Sequence, residues 1–359
     1  MFLRRISLTH FKNHEALSLE FDTKINCIIG KNGAGKTNLL DAVYYLCLTK
    51  SYFHSNDQQN ICSGKDFFRL EGDFIKNKAT HSLVYKILSN RKKELQINDD
   101  TISRLSKHVG NFPAIMIAPD DSTLITGNSE DRRRFLDNTI SQVNPEYLND
   151  LMLYNKLLAQ RNAALKNFSE TGKIDDSLLE TYDRQLIPLG LAINRVRKET
   201  AELLSPIFKK YHQLISNNYE EAEFEYQSQL NDTPFDILLK KSQHKDLLLQ
   251  RTDTGIHRDD LDFLMNGTKI KRFGSQGQQK SFIISLKFAQ HEFIQQQKQF
   301  APLLLIDDIF DKLDIDRSRH LIELISTEQF GQVFITDTNA SHISEVLRGK
   351  EDIYTVIEF

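Results

Sequence analysis

Residues Gly30-Lys31-Asn32-Gly33-Ala34-Gly35-Lys36-Thr37 fill the pattern G-x-x-x-x-G-K-T, between the strand-like run Ile25-Asn26-Cys27-Ile28-Ile29 and a segment with Leu39, Leu40, Val43, Tyr44 and Cys47 at helical spacing. A glycine loop in that position turns backbone N–H groups toward one point, and the start of the following helix adds a dipole that favours an anion. The segment reads as a phosphate-binding loop in an α/β fold, with a helix from Thr37 to about Leu48 that buries one face. Gly30, Lys31, Asn32, Gly33, Ala34, Gly35, Lys36, Thr37 and Asn38 are the expected contacts to ATP. Lys36 would reach the terminal phosphates, and the Thr37 hydroxyl would ligate Mg2+.

Two further segments complete the pattern. Leu303-Leu304-Leu305-Ile306-Asp307-Asp308 is a buried-strand sequence that ends in two carboxylates. Asp307 is the expected magnesium ligand, and Asp308 stands where ABC-type ATPases carry the glutamate that orients the attacking water. Aspartate is one methylene shorter, so slow hydrolysis is expected. Ser275-Gln276-Gly277-Gln278-Gln279 opens a helix that continues through Ile283, Ile284, Leu286 and Ala289. Its place resembles the ABC signature motif, in which a serine hydroxyl, a glycine N–H and the helix start face the γ-phosphate held by a second subunit. Ser275, Gly277 and Gln278 are therefore expected at the nucleotide, and Ser275, Lys36, Asp307 and Asp308 form the expected catalytic set. Asp311-Lys312-Leu313-Asp314 stands in the place of the D-loop. Thr336-Asp337-Thr338 ends the next strand, where transporters of this class carry a switch histidine; none stands there, and His342 further on reads as a turn residue.

Residues 2–29 pattern as short strands, and the stretch from about Arg69 to Ile97 as antiparallel strands. Helical patterns dominate from about Arg132 to Leu248, with breaks at Asn144-Pro145, Thr171-Gly172 and Pro188-Leu189-Gly190. Alternating strands and helices return from Gly255. At 359 residues the chain exceeds the ~250–300 at which a single core stops growing. The expected fold is an α/β ABC-type P-loop ATPase head, a mixed sheet with flanking helices plus an antiparallel β subdomain, interrupted by a helical lobe. The head would comprise residues 1–118 and 249–359, and the lobe residues 119–248.

Composition narrows the class further. Hydrophobic residues make up 40% and charged residues 26%, a globular balance, and no apolar run approaches the ~20 residues that span a bilayer. Met1-Phe2-Leu3-Arg4-Arg5 continues into an alternating strand rather than a signal-peptide core, so a cytoplasmic protein with no membrane partner is expected. Cys27, Cys47 and Cys62 lack the spacing of a zinc site or a disulfide framework and read as reduced thiols. The net charge of −3 leaves any affinity for nucleic acid to local basic patches.

Beyond the ATPase motifs the chain resembles the RecF family over essentially its whole length. The matching strings are Phe11-Lys12-Asn13, Ala118-Pro119-Asp120-Asp121 with Gly127, Arg132-Arg133-Arg134-Phe135-Leu136-Asp137, Gln160-Arg161-Asn162, Thr254-Gly255-Ile256-His257-Arg258-Asp259-Asp260-Leu261, Ser275-Gln276-Gly277-Gln278-Gln279-Lys280 and Leu305-Ile306-Asp307-Asp308. Ile256, His54 and Asp311-Lys312 depart from residues common in that family, at proline, arginine and Ser-Glu respectively. The resemblance implies a weak, DNA-stimulated ATPase that forms an ATP-dependent homodimer on duplex DNA near single-strand gaps. It also implies that, with partners of the RecO and RecR type, the protein helps load recombinase in recombinational repair, replication restart and the SOS response. Two other readings stand beside it, a non-hydrolysing ATP-locked DNA clamp and an ABC ATPase motor of another complex.

Arg132-Arg133-Arg134, Arg91-Lys92-Lys93 and Lys269/Lys271/Arg272 are the densest basic clusters. Each reads either as a set of DNA phosphate contacts or as a solvated charged face. Arg132-Arg133-Arg134 has a third reading, an anchor through Asp120 or Asp137. His257-Arg258-Asp259-Asp260 reads equally as a coupling element or as a hydrogen-bonded turn.

Overall fold

In a computed structural model, residues 1–90, 92–217, 220–308, 315–338, 347 and 351–359 are described. The chain begins with β1 (Phe2–Phe11), β2 (His14–Glu20) and β3 (Ile25–Ile29), followed by α1 (Lys36–Leu48). Next come β4 (Phe67–Lys76), β5 (Ala79–Leu88), β6 (Lys93–Ile97), β7 (Asp100–Thr101) and β8 (Ala114–Ile117). Helices α2 (Thr123–Thr126), α3 (Ser129–Ser141), α4 (Pro145–Thr171) and α5 (Asp176–Ser216) precede β9 (Ala222–Gln227) and α6 (Phe235–Leu249). Then follow β10 (Asp260–Met265), β11 (Thr268–Lys269), α7 (Ile270–Phe273), α8 (Gln276–Lys298), β12 (Leu303–Ile306), α9 (Ile315–Ile325), β13 (Val333–Asp337) and β14 (Tyr354–Glu358).

Contacts divide the chain into two compact units. One comprises Met1–Ser122, Ile207–Glu220 and Ser275–Phe359, the other Thr123–Pro206 and Glu221–Gly274. The first unit holds two sheets, a parallel one in the order β14-β3-β13-β12-β8 and an antiparallel one in the order β2-β1-β4-β5-β6-β7. β3, β8, β12 and β13 are buried at every position, as strands covered on both faces must be. α1 touches strands of both sheets, and every residue from Leu39 to Leu48 is buried. The sequence spacing predicted one buried face; a helix enclosed between two sheets is instead buried all round, which Leu-Leu-Asp-Ala-Val-Tyr-Tyr-Leu-Cys-Leu meets with apolar side chains everywhere but at Asp41, which pairs with Lys12.

The second unit combines helices with a three-stranded sheet in the order β11-β10-β9, with Phe263 opposite Phe224. The break predicted at Pro188-Leu189-Gly190 does not occur, because α5 runs through it. Packing overrides the local signal: a Cβ on Gly190 would lie 2.5 Å from the ring of Phe235, so glycine is what lets that side chain seat against the helix. Residues 207–216 of the same helix belong to the first unit, where Phe208 packs on Phe282 and Tyr211 on Phe288.

Candidate nucleotide-binding site

β3 delivers the chain to Gly30, whose N–H donates to Asp337 O at the end of β13 (3.3 Å). The loop closes at Gly35, held at φ 105° in the left-handed region, and α1 begins at Lys36 with no side-chain cap. The first N–H groups of α1 have no partner within the helix, the condition that suits a bound anion. The Lys36 ammonium donates to Gly30 O (2.8 Å) and Lys31 O (3.2 Å), which curls it over the loop although the residue is only 5% exposed.

Thr37 lies one residue further, and its hydroxyl reaches both oxygens of Asp307 at 2.9 Å. Asp307 leaves the end of β12, its N–H bonded to Ile117 O of β8 (2.8 Å). Burial raises its pKa, against the hydrogen bonds from Thr336 and Thr37 and the charge of Lys36. A cation beside it would offset that desolvation. Thr336 Oγ1 donates to Asp307 (2.7 Å) and accepts the N–H of Asp308 (3.0 Å), so one hydroxyl orients both acidic residues. Asp308 itself sits in the left-handed region at φ 42°. The position of Thr336 was noticed in the sequence for the histidine it lacks; its hydroxyl role was not.

Ser275 caps α8. It accepts the Gln278 N–H (3.3 Å) while the Gln278 side chain accepts the Ser275 N–H (2.8 Å), a reciprocal capping box that leaves Ser275 and Gln276 exposed. Asp311-Lys312-Leu313-Asp314, His342 and Arg91 lie outside the described residues.

Behind the loop runs a buried ionic chain that the motif search did not foresee. Lys12 pairs with Asp41 of α1 (2.6 Å), which accepts from Ser51 Oγ (2.6 Å) and Tyr52 N–H (2.7 Å). The Tyr52 hydroxyl donates to Asp121, and Lys287 of α8 binds Asp121 (2.7 Å), Tyr52 Oη (2.8 Å) and Met116 O (2.9 Å). The strings Phe11-Lys12-Asn13 and Ala118-Pro119-Asp120-Asp121 thus meet in one network that joins α1, the end of β8 and α8. Single residues in separate strings give no local signal of such pairing.

In the second unit, Arg132 makes a two-pronged contact with Asp260 (2.6 and 3.0 Å), and Arg133 donates to Asp259 O (2.7 Å). The expected partner of Arg132, Asp120 or Asp137, is replaced by Asp260; Asp137 instead binds Arg197. Arg197 is buried and also holds Asp259 (2.8 Å) and Ile256 O (2.7 Å). His257 contacts Thr252 O through Nε2 (3.0 Å), so that nitrogen carries the proton and Nδ1 accepts from Tyr154 Oη (3.1 Å). Burial lowers its pKa to about 4. Arg258 pairs with Asp253. Every side chain of His257-Arg258-Asp259-Asp260 is engaged, His257 and Arg258 locally with Thr252 and Asp253, and Asp259 and Asp260 with Arg197 of α5 and Arg132 of α3. Gln160-Arg161-Asn162 has a similar part: Arg161 binds Asp246 (2.7 Å), Asp183 (2.8 Å) and Thr252 Oγ1 (2.9 Å), and Asn162 receives the Thr252 N–H (2.8 Å). Lys92, Lys93 and Lys269 pair with Glu94, Asp57 and Asp262, and Lys271 donates to Gly127 O.

A phosphate-loop sequence on a parallel sheet, a carboxylate strand two places along that sheet, a capped helix start and an antiparallel subdomain are the parts of an ABC-type ATPase head. Comparison with known proteins agrees. The model of the RecF/RecN/SMC N terminal domain family matches residues 2–358. The DNA replication and repair protein RecF of Flavobacterium johnsoniae is 42% identical over 99% of both chains, and that of Bacteroides thetaiotaomicron 40% identical over 99% of this chain and 96% of its own. A solved structure of the recombination mediator protein RecF-ATP in the RecFOR pathway superposes with a TM-score of 0.87 at 30% identity, covering 95% of this chain and 92% of the other. An Smc head bound to the C-winged helix domain of ScpA, at TM-score 0.57 and 14% identity, shares the fold. The chain belongs to the RecF family of DNA replication and repair proteins.

Proposed function

We propose that this chain binds ATP with Mg2+ at Gly30–Thr37 and uses the bound nucleotide to control its attachment to DNA during recombinational repair. The observation that carries the reading is the meeting of Lys36, Thr37, Asp307 and Thr336 at the end of one parallel sheet. Gly30, Lys31, Asn32, Gly33, Ala34, Gly35, Lys36, Thr37 and Asn38 cradle the phosphates from one subunit, and Ser275, Gly277 and Gln278 of a second copy close the site. Thr37 and Asp307 would hold magnesium, which would supply charge neutralisation at the phosphates. Asp308 orients the attacking water; its short side chain supports slow, DNA-stimulated hydrolysis that releases the dimer.

The relatives, a DNA replication and repair protein and a recombination mediator with ATP in the RecFOR pathway, support DNA as the surface bound and RecO and RecR type proteins as partners; that the DNA is duplex and gapped is what the family resemblance implies. Sedimentation with and without ATP and duplex DNA tests nucleotide, DNA and dimer together. A chain that stays monomeric with saturating ATP, Mg2+ and DNA overturns the reading. Steady-state phosphate release separates it from a non-hydrolysing ATP-locked clamp.

A further inference from the structure

Both ends of the phosphate loop are gripped from outside the G-x-x-x-x-G-K-T pattern. At the far end, the turn between β1 and β2 brings His14 against Gly35, with Nε2 3.1 Å from Gly35 O. A carbonyl only accepts, so Nε2 carries the proton and donates. The same carbonyl accepts the Leu39 N–H of α1 at 2.9 Å. In a trans peptide the N–H points opposite the C=O, so pinning Gly35 O aims the Lys36 N–H away from the imidazole. That N–H is one of the helix-start donors a phosphate would meet. Asn13 adds a bond from its amide to Gly33 O (3.4 Å) and accepts one from Asn38 (2.7 Å).

At the near end, the Phe359 N–H donates to Ile29 O (2.8 Å), which extends the β14–β3 ladder by one residue. A Cβ on Gly30 would lie 2.8 Å from Phe359 O and 2.9 Å from its Cβ. One on Gly35 would lie 2.5 Å from the His14 ring. The two rings meet edge to face at 5.9 Å. His14 is nine-tenths buried and Phe359 partly buried, so the His14 end of the pair faces the loop rather than solvent.

We infer that His14 and Phe359 are positioning residues for ATP: the His14 ring holds Gly35, the backbone and Cβ of Phe359 hold Gly30, and the Phe359 ring backs the His14 ring, a brace that keeps the first and last glycines of the loop in the geometry that receives phosphate. The inference rests on the assignment of Gly30–Thr37 as the ATP site. Removing the His14 ring frees the Gly35 end of the loop directly, and removing the Phe359 ring loosens the same end by taking away the backing of His14, so the loss appears in nucleotide affinity while the fold persists.

The test titrates the full chain with a fluorescent ATP analogue in magnesium, with unfolding midpoints measured in parallel. His14→Ala and Phe359→Ala are each expected to weaken binding about tenfold, the size of one buried hydrogen bond or ring contact. His14→Gln, which keeps a donor of similar reach, and Phe359→Leu should stay within about threefold of wild type. The double alanine variant should lose less than the product of the singles, since the rings touch. A folded alanine variant that binds like wild type overturns the brace, as does a Gln or Leu variant as weak as Ala. If the alanine variants do not fold, His14→Gln against the shorter His14→Asn decides, and equal affinity in that pair overturns it. Lys36→Ala is the separate control: undiminished binding there defeats the ATP-site assignment itself, whereas lost binding there with intact binding in the His14 and Phe359 variants defeats only the brace.

Discussion

Replacing Lys287 with methionine tests whether the ionic chain behind the phosphate loop holds the head together. The ammonium lies in the middle of α8, 4% exposed, in contact with Asp121, Tyr52 Oη and Met116 O. Asp121 is 5% exposed and keeps only the Ala118 N–H (2.8 Å) and the Tyr52 hydroxyl among those partners once the lysine is gone. Methionine fills the volume but leaves a buried carboxylate without its counter-charge, a change that costs about 3–5 kcal/mol. The thermal midpoint should fall by on the order of 10 °C. Urea unfolding followed by circular dichroism measures the loss. The double variant Lys287→Met/Asp121→Leu removes both charges and should recover at least half of it. A loss below about 1 kcal/mol in the single variant, the value of an exposed ion pair, would refute the reasoning.

Asp308→Asn should bind ATP and accumulate as a dimer in sedimentation, Ser275→Arg should bind ATP as a monomer, and mixing Ser275→Arg with Lys36→Ala chains should restore part of the phosphate release. A monomeric Asp308→Asn together with an inert mixture would mean that each chain acts alone. Arg132→Ala/Arg133→Ala should leave the salt dependence of DNA affinity unchanged while lowering stability, because both guanidinium groups are already engaged with Asp260 and Asp259; a flatter salt slope would return them to the DNA surface. His257 and His291 are both lowered to about 4 by burial, so the unfolded chain binds their protons first as pH falls. Stability from each is present above 6.5 and is lost between there and about 4, by about 3 kcal/mol apiece. Unfolding measured across that range should show a shallower acid loss in His291→Asn than in wild type.

The candidate nucleotide site was legible because its residues are contiguous. Gly30–Thr37 carries strand, loop and helix signals in one stretch, and Leu303–Asp308 joins a buried strand to its carboxylates. What escaped was pairing across the sequence. No local pattern marks Arg197, which is buried among Asp137, Asp259 and Ile256 O. Residues 249–274 read as a return to the head, but β10 pairs with β9, a register no local pattern encodes, and the contacts group them with the second unit. Pro188 and Gly190 signalled a break that the Phe235 contact overrides. Arg132-Arg133-Arg134 showed its charge in the sequence, but not the Asp260 and Asp259 O that engage Arg132 and Arg133.

The sheet order carries a consequence for synthesis. β3, the strand that delivers the phosphate loop, has β13 and β14 as its two neighbours. Both leave the ribosome long after β3 does. At about 5–20 residues per second, the interval between Ile29 and Val333 lasts roughly 15–60 s. During that time the loop has sequence but no flanking strands, and such long-range parallel pairing forms slowly. A nascent chain therefore completes the candidate nucleotide pocket only once β13 and β14 have been synthesised, and truncated products stalled before β13 carry the phosphate-loop sequence without the support that shapes it.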